Sequence, residues 1–230
     1  MTTGTADQFF SFRSILAVCA HPDDESFGLG AVLSACAGRG VKISVLCFTH
    51  GEASTLGTVT DLANIRAEEL GAAATVLGAR SVRLMSYPDG QLSRTSLAEL
   101  CDVVEDSVAE HRTDCLVVFD EGGITGHPDH QRATEAAVAS ADRLGLPVLA
   151  WALPSAITAV LNDEFSAGFV GREPFEIDVK LEVDRTLQHE AISCHASQSS
   201  DNPVLRRRLA LQGATESLRW LRAPDRSTAR

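Results

Sequence analysis

Apolar residues in this chain come in short runs separated by amphipathic stretches, and the two kinds of segment alternate. Ser14 to Ala20 is a nearly continuous apolar run of strand length, suited to a strand buried on both faces. Glu25 to Ala37 predicts a helix ending at Gly38 and Gly40. Val41 to Thr49, rich in Val, Ile and Phe, predicts a second strand, and the Ala/Leu/Glu-rich stretch Leu62 to Leu77 predicts a helix stopped by Gly78. Val82 to Met85 predicts a short third strand. Pro88-Asp89-Gly90 is a turn signal, and Ser96-Leu97-Ala98-Glu99 has the form of a capping box opening a helix that runs to about His111. Cys115 to Phe119 predicts a fourth strand, a glycine-rich loop from Asp120 to His130 leads into a helix closing near Gly145, and Pro147 to Leu153 predicts a fifth strand. Pro154 to Pro174 carries no clear pattern and is expected to be irregular and to cover the site. Phe175 to Val179 predicts an edge strand, and helices over Leu181 to His195 and Val204 to Leu221 finish the chain.

This alternation implies an α/β fold, a Rossmann-like, mostly parallel sheet with helices on both faces and right-handed crossovers. Ligands bind such sheets beyond the carboxyl ends of the strands. Two polar clusters, residues 21 to 25 and 120 to 130, follow predicted strands directly, so the fold is expected to bring them to one edge. No repeat, low-complexity tract or linker interrupts the pattern. The expectation is one domain over residues 1–230, with flexible tails at 1–12 and 223–230.

Composition narrows the partners. At 230 residues and 44% hydrophobic the chain can bury its own core. A formal charge of -11 argues against nucleic acid or an anionic membrane as partner. The one basic run, Arg206-Arg207-Arg208, lies within an amphipathic pattern and predicts a solvated helix face. Six cysteines form no C-x-x-C pair and sit mostly in apolar runs, which suits a reducing compartment. Met1 to Gln8 lacks the order of a signal peptide and no apolar run approaches membrane-spanning length, so a soluble cytoplasmic protein is expected. A homo-oligomer is compatible with the sequence, which does not specify assembly.

The chemistry concentrates in Ala20-His21-Pro22-Asp23-Asp24-Glu25, where one imidazole and three carboxylates follow the first strand. A dinucleotide site needs a glycine-rich turn there, and this turn repels phosphate; Gly28-x-Gly30 comes too late. Imidazole nitrogen with carboxylate oxygen suits a catalytic divalent ion such as zinc. His21 and Asp24 are three apart, as are His127 and His130, so each pair can face one side. A lone strand-end His is ordinarily a structural hydrogen-bonder, and a lone Asp ordinarily an N-cap. Two His-Pro-Asp clusters ask for more, because three consecutive carboxylates repel one another unless a cation compensates. Two imidazoles and one carboxylate leave such an ion able to lower the pKa of bound water and polarise a carbonyl. Fe(II), Co(II) or Mn(II) fits the same donor set as zinc. Spacing does not decide between His127 and His130 as the ligand.

These residues carry a resemblance. Ala20-His21-Pro22-Asp23-Asp24-Glu25 followed by Gly126-His127-Pro128-Asp129-His130 resembles the signature of the LmbE-like family, which includes the N-acetylglucosaminyl-phosphatidylinositol de-N-acetylases (PIG-L) and bacterial de-N-acetylases of thiol-precursor amino sugars. Thr49-His50-Gly51-Glu52, Arg66-Ala67-Glu68-Glu69 and His195-Ala196-Ser197-Gln198 agree, and the match spreads from about residue 14 to 200. The resemblance implies zinc-dependent hydrolysis of an N-acyl group, usually acetyl, from a small-molecule glucosamine-type conjugate. His21, Asp24 and His130 would then hold the metal, and Asp23 would be the general base. His127 would stabilise the oxyanion or protonate the leaving amine, with Asp129 orienting its ring and favouring its protonated form. Arg66 and Asp89 would contact sugar hydroxyls or a polar aglycone, Glu25 and Glu52 would bind ligand or support the metal loop, and His195 and Gln198 would line the pocket from one helical face. The chain lacks the membrane segment of the eukaryotic enzymes, which counts against an embedded glycolipid substrate. Two other readings stand beside this one: a metalloamidase for a larger acyl group on a thiol-sugar conjugate or secondary-metabolite glycoside, and a metal-dependent sugar-binding protein without turnover. Asp23 and His127 argue against the last, since binding alone needs neither base nor acid.

Overall fold

The computed structural model describes residues 10–55 and 60–224, so most of the two expected tails lies outside the described residues. The sheet has the strand order β3-β2-β1-β4-β5-β8-β7, with β1 at Ser14–Cys19, β2 at Lys42–Thr49, β3 at Ala79–Tyr87, β4 at Cys115–Phe119, β5 at Val148–Pro154, β7 at Val179–Glu182 and β8 at Thr215–Arg222. A two-residue strand, β6 (Gly171–Arg172), pairs with the end of β5. The first five strands run parallel, and β8 and β7 add antiparallel. The α/β class and the mostly parallel sheet follow the sequence expectation.

Helices cover both faces because alternate strand residues point to opposite sides. Ile15, Ala17 and Cys19 pack with Leu29, with Val32 and Leu33 of α2 (Gly30–Ala37) and with Leu70 and Ala73 of α3 (Leu62–Val76). Leu16, Val18 and Ala20 pack on the other face with Leu100 and Val104 of α4 (Leu97–His111) and Ala133 and Ala137 of α5 (Pro128–Leu144). A short helix, α1 (Asp24–Phe27), joins the site loop to α2. The single helix expected over Glu25 to Ala37 is therefore two, broken at Gly28 and Leu29. A Cβ on Gly28 would come within 2.6 Å of Phe119 Cζ, so the break lets α1 sit close against the end of β4.

Several expectations need correction in the last third of the chain. Residues 154–174 are not irregular: α6 (Ser155–Phe165) occupies half of them. The strand expected at Phe175 to Val179 starts at Val179, and α7 begins only at Thr186 and runs to Cys194. The helix expected over Val204 to Leu221 is α8 (Pro203–Gln212) followed by β8. Gly213 at φ 55 reverses the chain between them, a backbone region that favours glycine. Arg208 is 5% exposed and so does not belong to a solvated face. The capping box at Ser96 does not form, for the Ser96 side chain makes no cap hydrogen bond; β3 is nine residues rather than four. No helix among the described residues is long and apolar enough to cross a membrane.

Candidate metal centre

Strand order reverses between β1 and β4, and ligands of open α/β sheets bind at such a switch point. The loop after β1 delivers His21, Asp23 and Asp24 there, and the loop after β4 delivers His127, Asp129 and His130. The convergence expected from the sequence is present. His21 Nδ1 lies 3.2 Å from His130 Nε2, which lies 3.1 Å from Asp24 Oδ1. His21 Nδ1 is 4.0 Å from Asp24 Oδ2.

Each donor is oriented by what its other atoms do. Asp24 Oδ2 accepts from the Ala20 and His21 backbone N–H groups at 2.9 and 3.0 Å, which turns Oδ1 toward His130. His130 Nδ1 donates to the Gly123 carbonyl at 3.1 Å, leaving the Nε2 lone pair free. His21 Nε2 lies 3.0 Å from Asp89 Oδ1 and 3.5 Å from Asp129 Oδ2, somewhat out of hydrogen-bond alignment. These carboxylates favour a proton on Nε2, so that Nδ1 is the nitrogen left to bind an ion. Two imidazole nitrogens thus face each other beside a carboxylate oxygen, and a cation could take the place of the proton between them. Donors of a tetrahedral zinc site lie about 3.3 Å apart, close to the two shorter separations here. The residues fit a divalent ion. Nitrogens of His21, His127 and His130 also lie within 4.8 Å of one another, as do donor atoms of His21, Asp89 and Asp129.

The charges are strongly coupled. Burial lowers the His21 pKa, but the close carboxylates of Asp129, Asp89 and Asp24 carry it up to about 10. Burial likewise opposes protonation of His130, and Asp24 overrides it. Burial would raise Asp24, yet His130 and His21 hold it well below the usual carboxylate range.

Asp23 occupies φ 122, ψ -25, a region L-residues rarely adopt. Its N–H donates to Glu25 Oε2 at 3.0 Å, and its Oδ2 accepts from Arg66 Nη2 at 2.9 Å. Burial pushes its carboxyl up to about 6 against the pull of Arg66. Arg66 also donates to the Pro22 carbonyl and, at 2.6 Å, to the Gly51 carbonyl. Gly51 lies so near that a Cβ there would fall 2.9 Å from Arg66 Nε. Arg66 thus holds the loop and also lines the cavity, with its Nε unpartnered among the described residues.

His127 caps α5, its Nδ1 accepting from the Asp129 N–H at 3.2 Å. The Asp129 carboxylate meanwhile accepts from Gly90 N at 2.8 Å and Leu92 N at 3.1 Å. Asp129 does favour a protonated His127, as expected, but other groups outweigh it. Burial, with His130 and His21 close by, lowers the His127 pKa more than Asp129 raises it. The remaining expectations divide. Asp89 and Gln198 line the cavity, and Gln198 accepts from Ser54 at 2.8 Å. Glu52 is exposed and accepts from the Asp89 N–H at 3.0 Å, outside the cavity lining. His195 is fully buried and does not line the pocket; it meets Glu25 at 2.6 Å, tying the end of α7 to α1.

A cavity of about 650 Å³ opens over this centre. Beyond the polar residues its wall is apolar, with Phe27, Phe119, Trp151, Phe169 and Leu205, and Arg208 reaches it from α8. The sequence pattern did not mark these wall residues, which resemble any other core positions.

The chain belongs to the PIG-L family, described as GlcNAc-PI de-N-acetylases, whose model matches residues 16–141. It is 32% identical over 215 residues to a probable N-acetyl-alpha-D-glucosaminyl L-malate deacetylase 2 of Bacillus anthracis, covering 91% of this chain and 92% of the relative. It is also 32% identical over 161 residues to a 1D-myo-inositol 2-acetamido-2-deoxy-alpha-D-glucopyranoside deacetylase of Kineococcus radiotolerans, covering 55% of this chain and 44% of that one. Among solved structures it resembles the N,N'-diacetylchitobiose deacetylase of Pyrococcus horikoshii with TM-score 0.71 and 22% identity, over 94% of this chain and 86% of that one. A hydratase, GalB of Pseudomonas putida, matches with TM-score 0.70 and 19% identity, over 93% and 98% of the two chains. The fold is shared across more than one chemistry, so the site must carry the functional argument.

Proposed function

We propose that this chain hydrolyses the N-acetyl group of an N-acetylglucosamine-type conjugate, with a divalent cation, zinc first among the candidates, held by His21, Asp24 and His130. The observation that carries this reading is the close approach of two imidazole nitrogens, His21 Nδ1 and His130 Nε2, 3.2 Å apart beside Asp24 Oδ1. When bound, the cation would supply a Lewis acid that makes water acidic and polarises the amide carbonyl.

The rest is done by side chains of the chain itself. Asp23, anchored by Arg66, takes a proton from the attacking water and returns it to the departing amine. A carboxyl near 6 suits this exchange, being ionised at neutral pH yet basic enough to accept. His127 accepts at Nδ1 from Asp129 N–H, so its proton is on Nε2, where it can donate to the oxygen that gains charge. Of the two roles open to it, oxyanion stabilisation is the one its lowered pKa supports. Asp89 and Asp129 keep the His21 ring in its ligating tautomer. Water adds to the carbonyl carbon, the C–N bond breaks, and acetate and a free amine leave. The names of both curated relatives, glucosamine-conjugate deacetylases, support the amino-sugar substrate. Six free cysteines, five of them buried, support a reducing compartment such as the cytoplasm.

The test is to strip the protein with a chelator and measure amine release from a panel of N-acyl glucosaminides before and after adding Zn²⁺. Release should return with zinc in the wild type and fail in His130→Ala, which should also lose tight zinc binding. Amine release indifferent to chelation would reject the metal reading, and a larger acyl group winning the panel would replace acetyl.

A further inference from the structure

The cavity wall contains a cation that the proposed hydrolysis does not use. Arg208, 5% exposed, lines the same cavity as His21, Asp24 and His130. Two of its five N–H donors are engaged, Nη1 on Gln212 Oε1 at 2.8 Å and Nη2 on the Phe27 carbonyl at 2.6 Å. Its guanidinium stands 4.9 Å over the Trp151 ring. The carboxylate nearest in this network is Glu216, fully buried, and it is already taken. It accepts from Arg185, from Trp151 Nε1 at 2.7 Å and from Gln212 Nε2 at 2.8 Å. Two buried guanidiniums, Arg185 and Arg208, therefore share one carboxylate, and Arg208 reaches it only through Gln212. Burial without direct pairing lowers the Arg208 pKa to about 10. A buried charge without a direct counter-charge is costly, and one that faces a cavity can have that cost offset by an anionic ligand.

Its position relative to the hydrolytic centre is set by rings. His130 packs on Phe119 with centroids 5.0 Å apart, Phe119 on Trp151 at 5.4 Å, and Arg208 covers Trp151. The cavity thus has a hydrolytic end, an apolar middle and a cationic end. The hydrolytic end is crowded with carboxylates, Asp23, Asp24 and Asp89, which disfavours a multiply charged anion such as a phosphate ester. A single guanidinium fork beside an apolar wall matches a planar monoanion.

We propose that Arg208 is a specificity-determining residue that recognises a carboxylate on the aglycone of the N-acyl amino sugar. This rests on the hydrolytic reading for the far end of the cavity. The test uses two readouts, so that the failure of one claim is not taken for the failure of the other. The first is kcat/KM for N-acetylglucosaminyl lactate against its methyl ester, and for N-succinylglucosamine against its methyl ester, in wild type and R208M. The acid of the lactate pair should be preferred by about tenfold or more, mainly through KM, and R208M should lose that preference while still cleaving the ester. If the succinyl pair alone shows the effect, the carboxylate lies on the acyl group and the aglycone assignment is overturned. No acid preference in either pair, or one that survives in R208M, overturns the site itself.

The second readout is Trp151 fluorescence in W220F protein, titrated with succinate and with succinamide. Only succinate should change it saturably, and R208M should abolish the change even if no conjugate is ever hydrolysed. Should R208M not fold, R208K replaces it. Charge without the fork should weaken succinate binding several-fold, and unchanged binding would contradict the assignment.

Discussion

Asp23 is held in an uncomfortable place: positive φ, buried, and tethered by Arg66 on one side and Glu25 on the other. Burial raises its carboxyl to about 6, which supports the proton-moving role proposed for it. Asp23→Asn should lower kcat by about 10²–10⁴-fold while zinc stoichiometry stays at the wild-type level. Arg66→Met should reduce kcat with little change in metal affinity, because it frees the Asp23 carboxylate and leaves the ligand set intact; metal loss in that variant would show that Arg66 shapes the whole loop. The six central residues were legible because each lies in one of two short motifs directly after a strand. The partners were not. Glu25 meets His195 across 170 positions, and the Asp89 contact with His21 joins loops from different βα units. Such pairings leave no periodic trace in a sequence.

Elements fix how tightly those residues sit. Gly28 allows α1 to close on Phe119, whose ring packs against His130. Gly28→Ala should cost about 1–3 kcal/mol by overpacking, measured by chemical denaturation, and should weaken metal binding as Phe119 shifts toward His130. The buried His195–Glu25 pair ties α7 to α1, and His195→Gln should cost about 3–5 kcal/mol at acid to neutral pH. Burial works against the His195 imidazolium, but Glu25 raises its pKa above the unfolded value of about 6.5. The pair's contribution is therefore complete below that value and lost as pH rises through the higher folded pKa. The stability gap between wild type and His195→Gln should narrow as pH rises above about 6.5, and a gap that widens would contradict the pairing. Helices and strands up to β5 were legible from period and stop signals, apart from the break at Gly28, the length of β3 and the cap at Ser96. Beyond it, Val204, Leu205 and Leu209 set a helical rhythm that Leu218 and Trp220 continue by coincidence. Glu216, buried among hydrogen-bond donors, disguised the strand that carries it.

The whole molecule is a sheet whose order reverses where two loops meet, and the reaction follows from what those loops carry. The α/β class was legible because buried parallel strands and amphipathic helices alternate for most of the chain. The antiparallel edge was not, since β8 joins β5 through long-range pairing alone. The cavity wall, with Trp151 and Arg208 drawn from distant segments, was equally invisible. A fold also found in a hydratase does not fix the chemistry, so the decisive observation must be the products. We would incubate the zinc-loaded protein with an N-acetylglucosaminide in heavy-oxygen water and follow acetate and free amine by mass spectrometry. Equal amounts of amine and acetate carrying one heavy oxygen, with release lost in Asp23→Asn, are the predicted result. An intact N-acetyl group on every conjugate tried despite bound zinc, or wild-type release from Asp23→Asn, would contradict hydrolysis at this centre.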